Sequence, residues 1–287
     1  MVDTNHMTPA RGSNGNSKDK DRALVASNEE LAALLHHHAS EVLLALLNNP
    51  VLAEADLCVL LGRKSLPSEV IAEICKRREW LKAYGVKKAL ACHPHTPRLV
   101  SLRLLRELYL MDLVHIALLP GVSAELKRNA EEQLASRLPH LPLGQKITLA
   151  RRGPPRVVGL LLGEGQPQVV TVALDNTRLT AAQILKVLAS EGVPEFVVQA
   201  IPQHPKWSCD YNVRLALVRN QASTLSTVLG YLPHLTVSDL QALAAPGIVP
   251  ERLRKYLEAE VRRRVAAGKK SIDKEESLRA DHPANDA

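Results

Sequence analysis

The sequence predicts an all-α protein, a superhelix of stacked helix pairs in which one long block occurs twice, at an offset of 127 in the numbering. Three observations lead there. Apolar residues recur at i, i+3 and i+4, the spacing of one helix face, and almost nowhere alternate as a strand requires. Aromatic residues make up only 3% of the 287, with Phe196 the single phenylalanine, so the core must be built from Leu, Val, Ile and Ala. The chain also aligns with itself without a gap, residues 47–137 on 174–264, with 23 identities in 91 positions. That is about twice the chance level or more. The matches join Asn49 to Asn176, Pro67 to Pro194, Trp80 to Trp207, Tyr84 to Tyr211, Val86 to Val213, Asp112 to Asp239 and Leu126 to Leu253.

Residues 1–26 are rich in Ser, Asn, Gly, Asp and Lys without apolar periodicity and read as a disordered tail. A repeat domain follows over 27–267. Its helical stretches are EVLLALL from Glu41, ADLCVLL from Ala55, SEVIAEICKRREW from Ser68 and RLVSLRLL from Arg98. AELKRNAEEQLASRL from Ala124, AAQILKVLA from Ala181 and ERLRKYLEAEVRRRV from Glu251 continue the series. Residues 268–287 read as a second disordered tail. Ser27-x-x-Glu30, Thr180-x-x-Gln183 and Thr236-x-x-Asp239 have the form of capping boxes or a close variant. Pro67 and Pro194 suit a first helical turn, where no N–H is missed. Asn49, Asn176 and Asn220 suit a helix end in the left-handed region or an Asx turn, and His93-Pro94 occupies the same slot.

A shorter period lies inside the long one. VLLALLNNPVLA from Val42 returns as VKKALACHPHTP from Val86, and by the same step VVTVALDNTRLT from Val169 returns as VRLALVRNQAST from Val213. With this phrase and the short helix after it, the chain resembles bacterial HEAT-like repeats and, more narrowly, the leucine-rich repeat variant, both α-helical solenoids of the HEAT/armadillo type. The resemblance implies a scaffold and not a particular reaction, since such families include partner-binding scaffolds, bilin lyases and glycosylases acting on alkylated bases. The unit here, about 42 to 44 residues, falls in the HEAT and armadillo range. It is roughly twice the unit of the leucine-rich variant. The variant's N-terminal cysteine cluster is missing here, so no iron–sulfur cofactor is implied.

The composition narrows the chemistry. No segment has the eighteen or more apolar residues of a membrane span, and the start carries no apolar stretch of the secretory kind, which excludes a membrane partner and places the protein in the cytoplasm. Cys58, Cys75, Cys92 and Cys209 form no CxxC pair and read as reduced thiols. His36, His37 and His38 point about 100° apart on a helix and cannot converge on one ion. Cys92-His93-x-His95 falls in a repeat turn, so no metal site is expected. Asp112 and Asp239 fit helix starts better than acid catalysis. No catalytic signature and no cofactor motif occurs. The Trp-x-x-x-Tyr pairs, Trp80 with Tyr84 and Trp207 with Tyr211, would share a helix face, filling one large gap in each block.

The net charge is +7, unevenly spread. Residues 76–106 carry nine bases against Glu79 alone, and Lys146, Arg151, Arg152 and Arg156 stand without acidic neighbours in sequence. Arg262, Arg263 and Arg264 form a third cluster. Arg77, Arg78, Lys82, Lys87, Lys88, Arg151 and Arg152 are therefore the candidate binding residues, for an acidic protein or for nucleic acid if they share one surface. The function expected is a non-catalytic scaffold that binds a macromolecule, a protein first, through an extended concave surface. The alternative is nucleic-acid binding, with a HEAT-like DNA glycosylase as its enzymatic form. Third comes a lyase or chaperone for a small chromophore.

Overall fold

A computed structural model describes residues 13–280 of the protein, with side chains over 16–267. Among the described residues every regular element is a helix, and the chain divides after Ser136 into two compact units. The first runs α1 (Ser13–Val25), α2 (Asn28–Leu34), α3 (Ser40–Leu46), α4 (Glu54–Leu61), α5 (Ser68–Lys76), a 3₁₀ turn (Trp80–Lys82), α6 (Tyr84–Cys92), α7 (Arg98–Leu105), α8 (Leu110–Leu118) and α9 (Ala124–Arg137). The second runs α10 (Leu143–Arg152), α11 (Pro155–Gly163), α12 (Pro167–Leu174), α13 (Ala181–Leu188), α14 (Glu195–Gln203), a 3₁₀ turn (Trp207–Cys209), α15 (Tyr211–Arg219), α16 (Leu225–Tyr231), α17 (Val237–Leu243) and α18 (Glu251–Ala280). Further 3₁₀ turns at Leu138–His140 and Leu232–His234 share the sequence Leu-Pro-His.

Most of these helices span only two or three turns and cannot stand alone in water, so the stack must hold them. In the first unit α3 packs on both α1 and α5, and α4 on α6; in the second α12 packs on α10 and α14, and α13 on α11 and α15. Alternate helices therefore lie side by side in two layers, and consecutive ones, such as α10 and α11, meet across a short turn. The core between the layers is the aliphatic one that the composition requires. Val42, Leu43, Leu46, Leu57, Leu60, Val70, Ile71 and Ile74 are fully buried in the first unit, as are Val169, Val170, Ile184, Val197, Ile201, Val213 and Leu217 in the second. Each such side chain contributes about 1.5 to 3 kcal/mol over its exposed state.

Helices are described within both expected tails. Helix α1 occupies Ser13–Val25, and α18 continues through residue 268 to Ala280; residues 1–12 and 281–287 of those tails lie outside the described residues. Helix α1 is polar overall, yet it buries Ala23, with Ala26 just beyond it, and packs along α3. Its small residues permit close contact where a window average registers only charge.

The local signals hold unevenly. Ser27 N–H donates to Glu30 Oε2 at 3.4 Å, and Thr236 Oγ1 accepts from Asp239 N at 3.1 Å. Thr180 makes no side-chain cap, and Gln183 lies over Gly159 instead, where a missing Cβ leaves it room. Pro67 and Pro194 sit at the N-cap itself, one position before the helix. Asn220 and His93 are extended, at φ −73° and −77°, and not left-handed. The left-handed region is taken instead by glycine, as at Gly165 (φ 72°), where a Cβ would fall 2.4 Å from Pro194 Cβ.

Candidate interaction surface

The turns of the stack are joined by side chains that reach back to an earlier turn. Asn49 Nδ2 donates to Ala23 O and Ala26 O at 3.0 and 3.1 Å, while its Oδ1 accepts from Val51 N at 2.9 Å, an Asx turn. At the duplicate position, Asn176 Nδ2 donates to Ala150 O and Gly153 O at 2.7 and 3.5 Å, and Oδ1 accepts from Arg178 N at 2.7 Å. Asn220 does the same between Leu188 O and Ala222 N. His93 stands in for asparagine. Its Nδ1 accepts from His95 N at 3.2 Å, so Nε2 carries the proton and donates to Arg63 O at 2.9 Å. Burial pushes the His93 imidazole down, toward the neutral form that this bonding needs.

Tyr84 and Asp112, far apart in the chain, meet: the Tyr84 hydroxyl donates to Asp112 Oδ2 and accepts from Tyr109 N at 2.9 Å. Tyr211, Asp239 and Thr236 repeat the arrangement at the duplicate positions, with Thr236 N donating to Tyr211 at 3.1 Å. In the first unit Lys88 Nζ joins at 2.8 Å from Asp112 Oδ1. Burial, then the Asp112 bond, pushes Tyr84 up to about 12. Burial works to raise Asp112 as well, but the bonds from Lys88 and Tyr84 outweigh it and hold the carboxyl below its ordinary range. The bond from Tyr211, then that from Thr236, lowers Asp239. These carboxylates join helices and hold no free proton for general-acid work.

The two tryptophans do not share one role. Each sits in a 3₁₀ turn that ends in extended backbone at Ala83 or Asp210, so Trp80 and Tyr84, or Trp207 and Tyr211, do not lie on one continuous helix as the sequence suggests. Trp207 is 3% exposed, and its Nε1 donates to Leu174 O at 2.9 Å. Trp80 is half-buried beneath the Arg77 guanidinium, 4.7 Å from the ring centroid. Arg77 itself donates to Leu47 O, the carbonyl equivalent to Leu174 O, and so does the bonding that the Trp207 indole does in the second unit.

Of the seven basic candidates, three are spent on the scaffold. Arg77 is bonded as above, Lys87 pairs with Glu107 at 2.6 Å, and Lys88 pairs with Asp112. Arg78 and Lys82 in the first unit, and Arg151 and Arg152 in the second, are exposed and make no ion pair among the described residues. The other clusters shrink too. Lys146 is buried and pairs at 2.7 Å with Glu164, too far along the chain for local counting to find. Arg263 and Arg264 both clamp Glu260, and Arg264 donates to Leu232 O and Leu235 O. The Arg263 bond, against a burial effect that opposes it, brings Glu260 down to about 2. Arg178 and Lys206, outside every dense cluster, are exposed and make no ion pair among the described residues. Both fall in turns between helices.

The metal-like stretch is likewise structural. His37 Nδ1 accepts from Ala39 N at 3.0 Å, and His95 Nδ1 bonds Leu66 O at 2.7 Å. Burial pushes the Cys92 thiol up, away from the thiolate. Cys92 and His93 line a cavity of about 450 Å³ with Thr96, Ser101 and Leu126. Among the described residues no three His, Cys, Asp or Glu side chains gather as metal ligands, and no helix is long and apolar enough to cross a membrane. Set beside known proteins, the chain matches no family model, no curated protein and no solved structure.

Proposed function

We propose that the protein is a non-catalytic, HEAT-like repeat scaffold that binds another protein through the exposed surface of its stacked helices. One observation carries the reading: the side chains that could do chemistry, His93, His204, Tyr84, Asp112, Tyr211 and Asp239, are committed to bonds between turns and helices. What the surface offers a partner is different, namely unpaired arginine and lysine together with large apolar groups such as Leu99, 81% exposed, and Tyr109, 68% exposed. Exposed aromatic, aliphatic and Arg side chains are the usual material of protein interfaces. Cys58, Cys75, Cys92 and Cys209 are all free thiols, which suits the cytoplasm.

A photo-crosslinking amino acid placed at Leu99 or Tyr109 tests the reading in cells. Capture of one dominant protein at either site is the expected result, and adducts no different from those of a random surface position would defeat it. The second reading, nucleic-acid binding, draws on the exposed, unpaired Arg78, Lys82, Arg151 and Arg152. It requires duplex or single-stranded probes to bind with steep salt dependence, which titration of labelled DNA and RNA at two salt concentrations decides.

A further inference from the structure

Three successive turns of the second unit lie along one edge and are tied together. The first follows α10, the second follows α12 and the third follows α14. Asn176 in the second turn holds Ala150 O and Gly153 O of the first. The third reaches the second twice, through His204 Nε2 to Asp175 Oδ1 at 3.1 Å and Trp207 Nε1 to Leu174 O at 2.9 Å. Each of the three brings exposed cations: Arg151 and Arg152 at the end of α10 where the first begins, Arg178 on the second, Lys206 on the third. Two carboxylates share the edge, and both are engaged. Asp175 bonds His204, and Asp210 accepts from Val213 N at 3.0 Å.

The first unit is built differently at the corresponding places. The duplication aligns Val51 with Arg178 and Glu79 with Lys206, and at the same offset of 127, beyond the aligned span, Leu24 and Val25 stand opposite Arg151 and Arg152. At the first two turns the charge is thus particular to the second unit and is not demanded by the stacking, whereas the first unit's third turn carries Arg78 beside Glu79. Lys206 is held in place, with Nζ 4.0 Å from the Trp207 ring centroid.

From this edge we infer that the second unit binds an acidic stretch of a partner protein in extended form, with its carboxylates at every third position. Side-by-side helices are spaced about 8 to 10 Å, and so are their turns. In the extended polyproline II form a peptide rises about 3.1 Å per residue and turns once every three residues, so every third side chain returns to the same face and meets the next turn. A nucleic-acid strand fits less well. Its phosphates cannot skip the carboxylate of Asp175, 71% exposed in the middle of the row, whereas a peptide can place an uncharged residue there. Single strands also call for stacking aromatics, and the one tryptophan of this edge is buried beneath Lys206.

The inference rests on the protein-scaffold reading and is tested apart from it. The probe is a dye-labelled peptide of four Glu-Gly-Ser repeats, titrated against the full chain by fluorescence anisotropy, beside a peptide of the same composition with its glutamates in one block and a single-stranded RNA of equal charge. The spaced peptide is expected to bind best, and R151Q/R152Q/R178Q/K206Q to weaken it at least tenfold without lowering Tm. R78Q/K82Q in the first unit should leave it unchanged. Asp175→Asn should tighten it about two- to threefold, a gain that misfolding cannot imitate. Unchanged binding by the fourfold variant, a loss with Asp175→Asn, or tighter binding of the RNA through the same four residues overturns the assignment. If the peptides fail while crosslinking from Leu99 or Tyr109 still captures a protein, the edge falls and the scaffold stands.

Discussion

Asn176 is buried with its amide spread over three backbone groups, so replacing it with leucine leaves two carbonyls and an N–H without partners. Asn176→Leu is expected to lower unfolding free energy in urea by about 2 to 3 kcal/mol, although the side-chain volume is nearly kept. The tryptophans divide at the same scale. Trp207→Ala should cost about 3 to 5 kcal/mol as a core truncation. Trp80→Ala should cost clearly less, roughly 1 to 2 kcal/mol, since its ring is half-solvated. Equal losses would restore the symmetrical reading that the sequence suggests. The identity of the two residues is legible in the alignment; their different burial is not, because it turns on Arg77 standing where the second unit has His204. Glu260 supplies a pH test. Its folded pKa of about 2 lies below the ordinary 4.5, so the stability it lends is complete above 4.5 and lost as pH falls from there toward 2. Glu260→Gln should therefore lower Tm at neutral pH, with the gap closing across that window.

At the scale of the element, periodicity and punctuation locate most helices closely, because an amphipathic stripe ended by proline or Asn-Pro has few other solutions. The method fails at α1. There small residues do the packing and charges fill the outer face, so composition resembles a tail. Deleting residues 1–26 is expected to destabilise the first unit by roughly 2 kcal/mol or more, since it strips cover from α3 and both acceptors from Asn49. A melting curve that does not move would return this segment to the tails. The turn after α11 gives a sharper case. Gly165→Ala combines a left-handed backbone with an overlap on Pro194, and should cost about 2 kcal/mol or more by chemical denaturation.

For the whole molecule, each helix from α1 to α9 has a counterpart among α10 to α18, in the same order and near the offset of the sequence repeat, and the division into units falls after Ser136. The all-α class was readable from apolar spacing and an aliphatic composition. The candidate surface was half readable. A run of bases shows where charge is dense, but Lys87, Lys88 and Lys146 meet Glu107, Asp112 and Glu164, each on a later turn or helix that only stacking brings near. Conversely Arg178 and Lys206 stand alone in sequence and come together because their turns do.

The back-reaching asparagines also set an order in time. The turn at residues 23–26 is completed by Asn49, and that at 150–153 by Asn176, so its carbonyls wait on a donor that is made only after the next helix or two. On a translating ribosome that is an interval of roughly one to five seconds. Each of these turns emerges still bonded to water and is locked by its successor, so a chain stalled or truncated between the two ends in an unsealed turn, which is where quality-control proteases would find their first foothold.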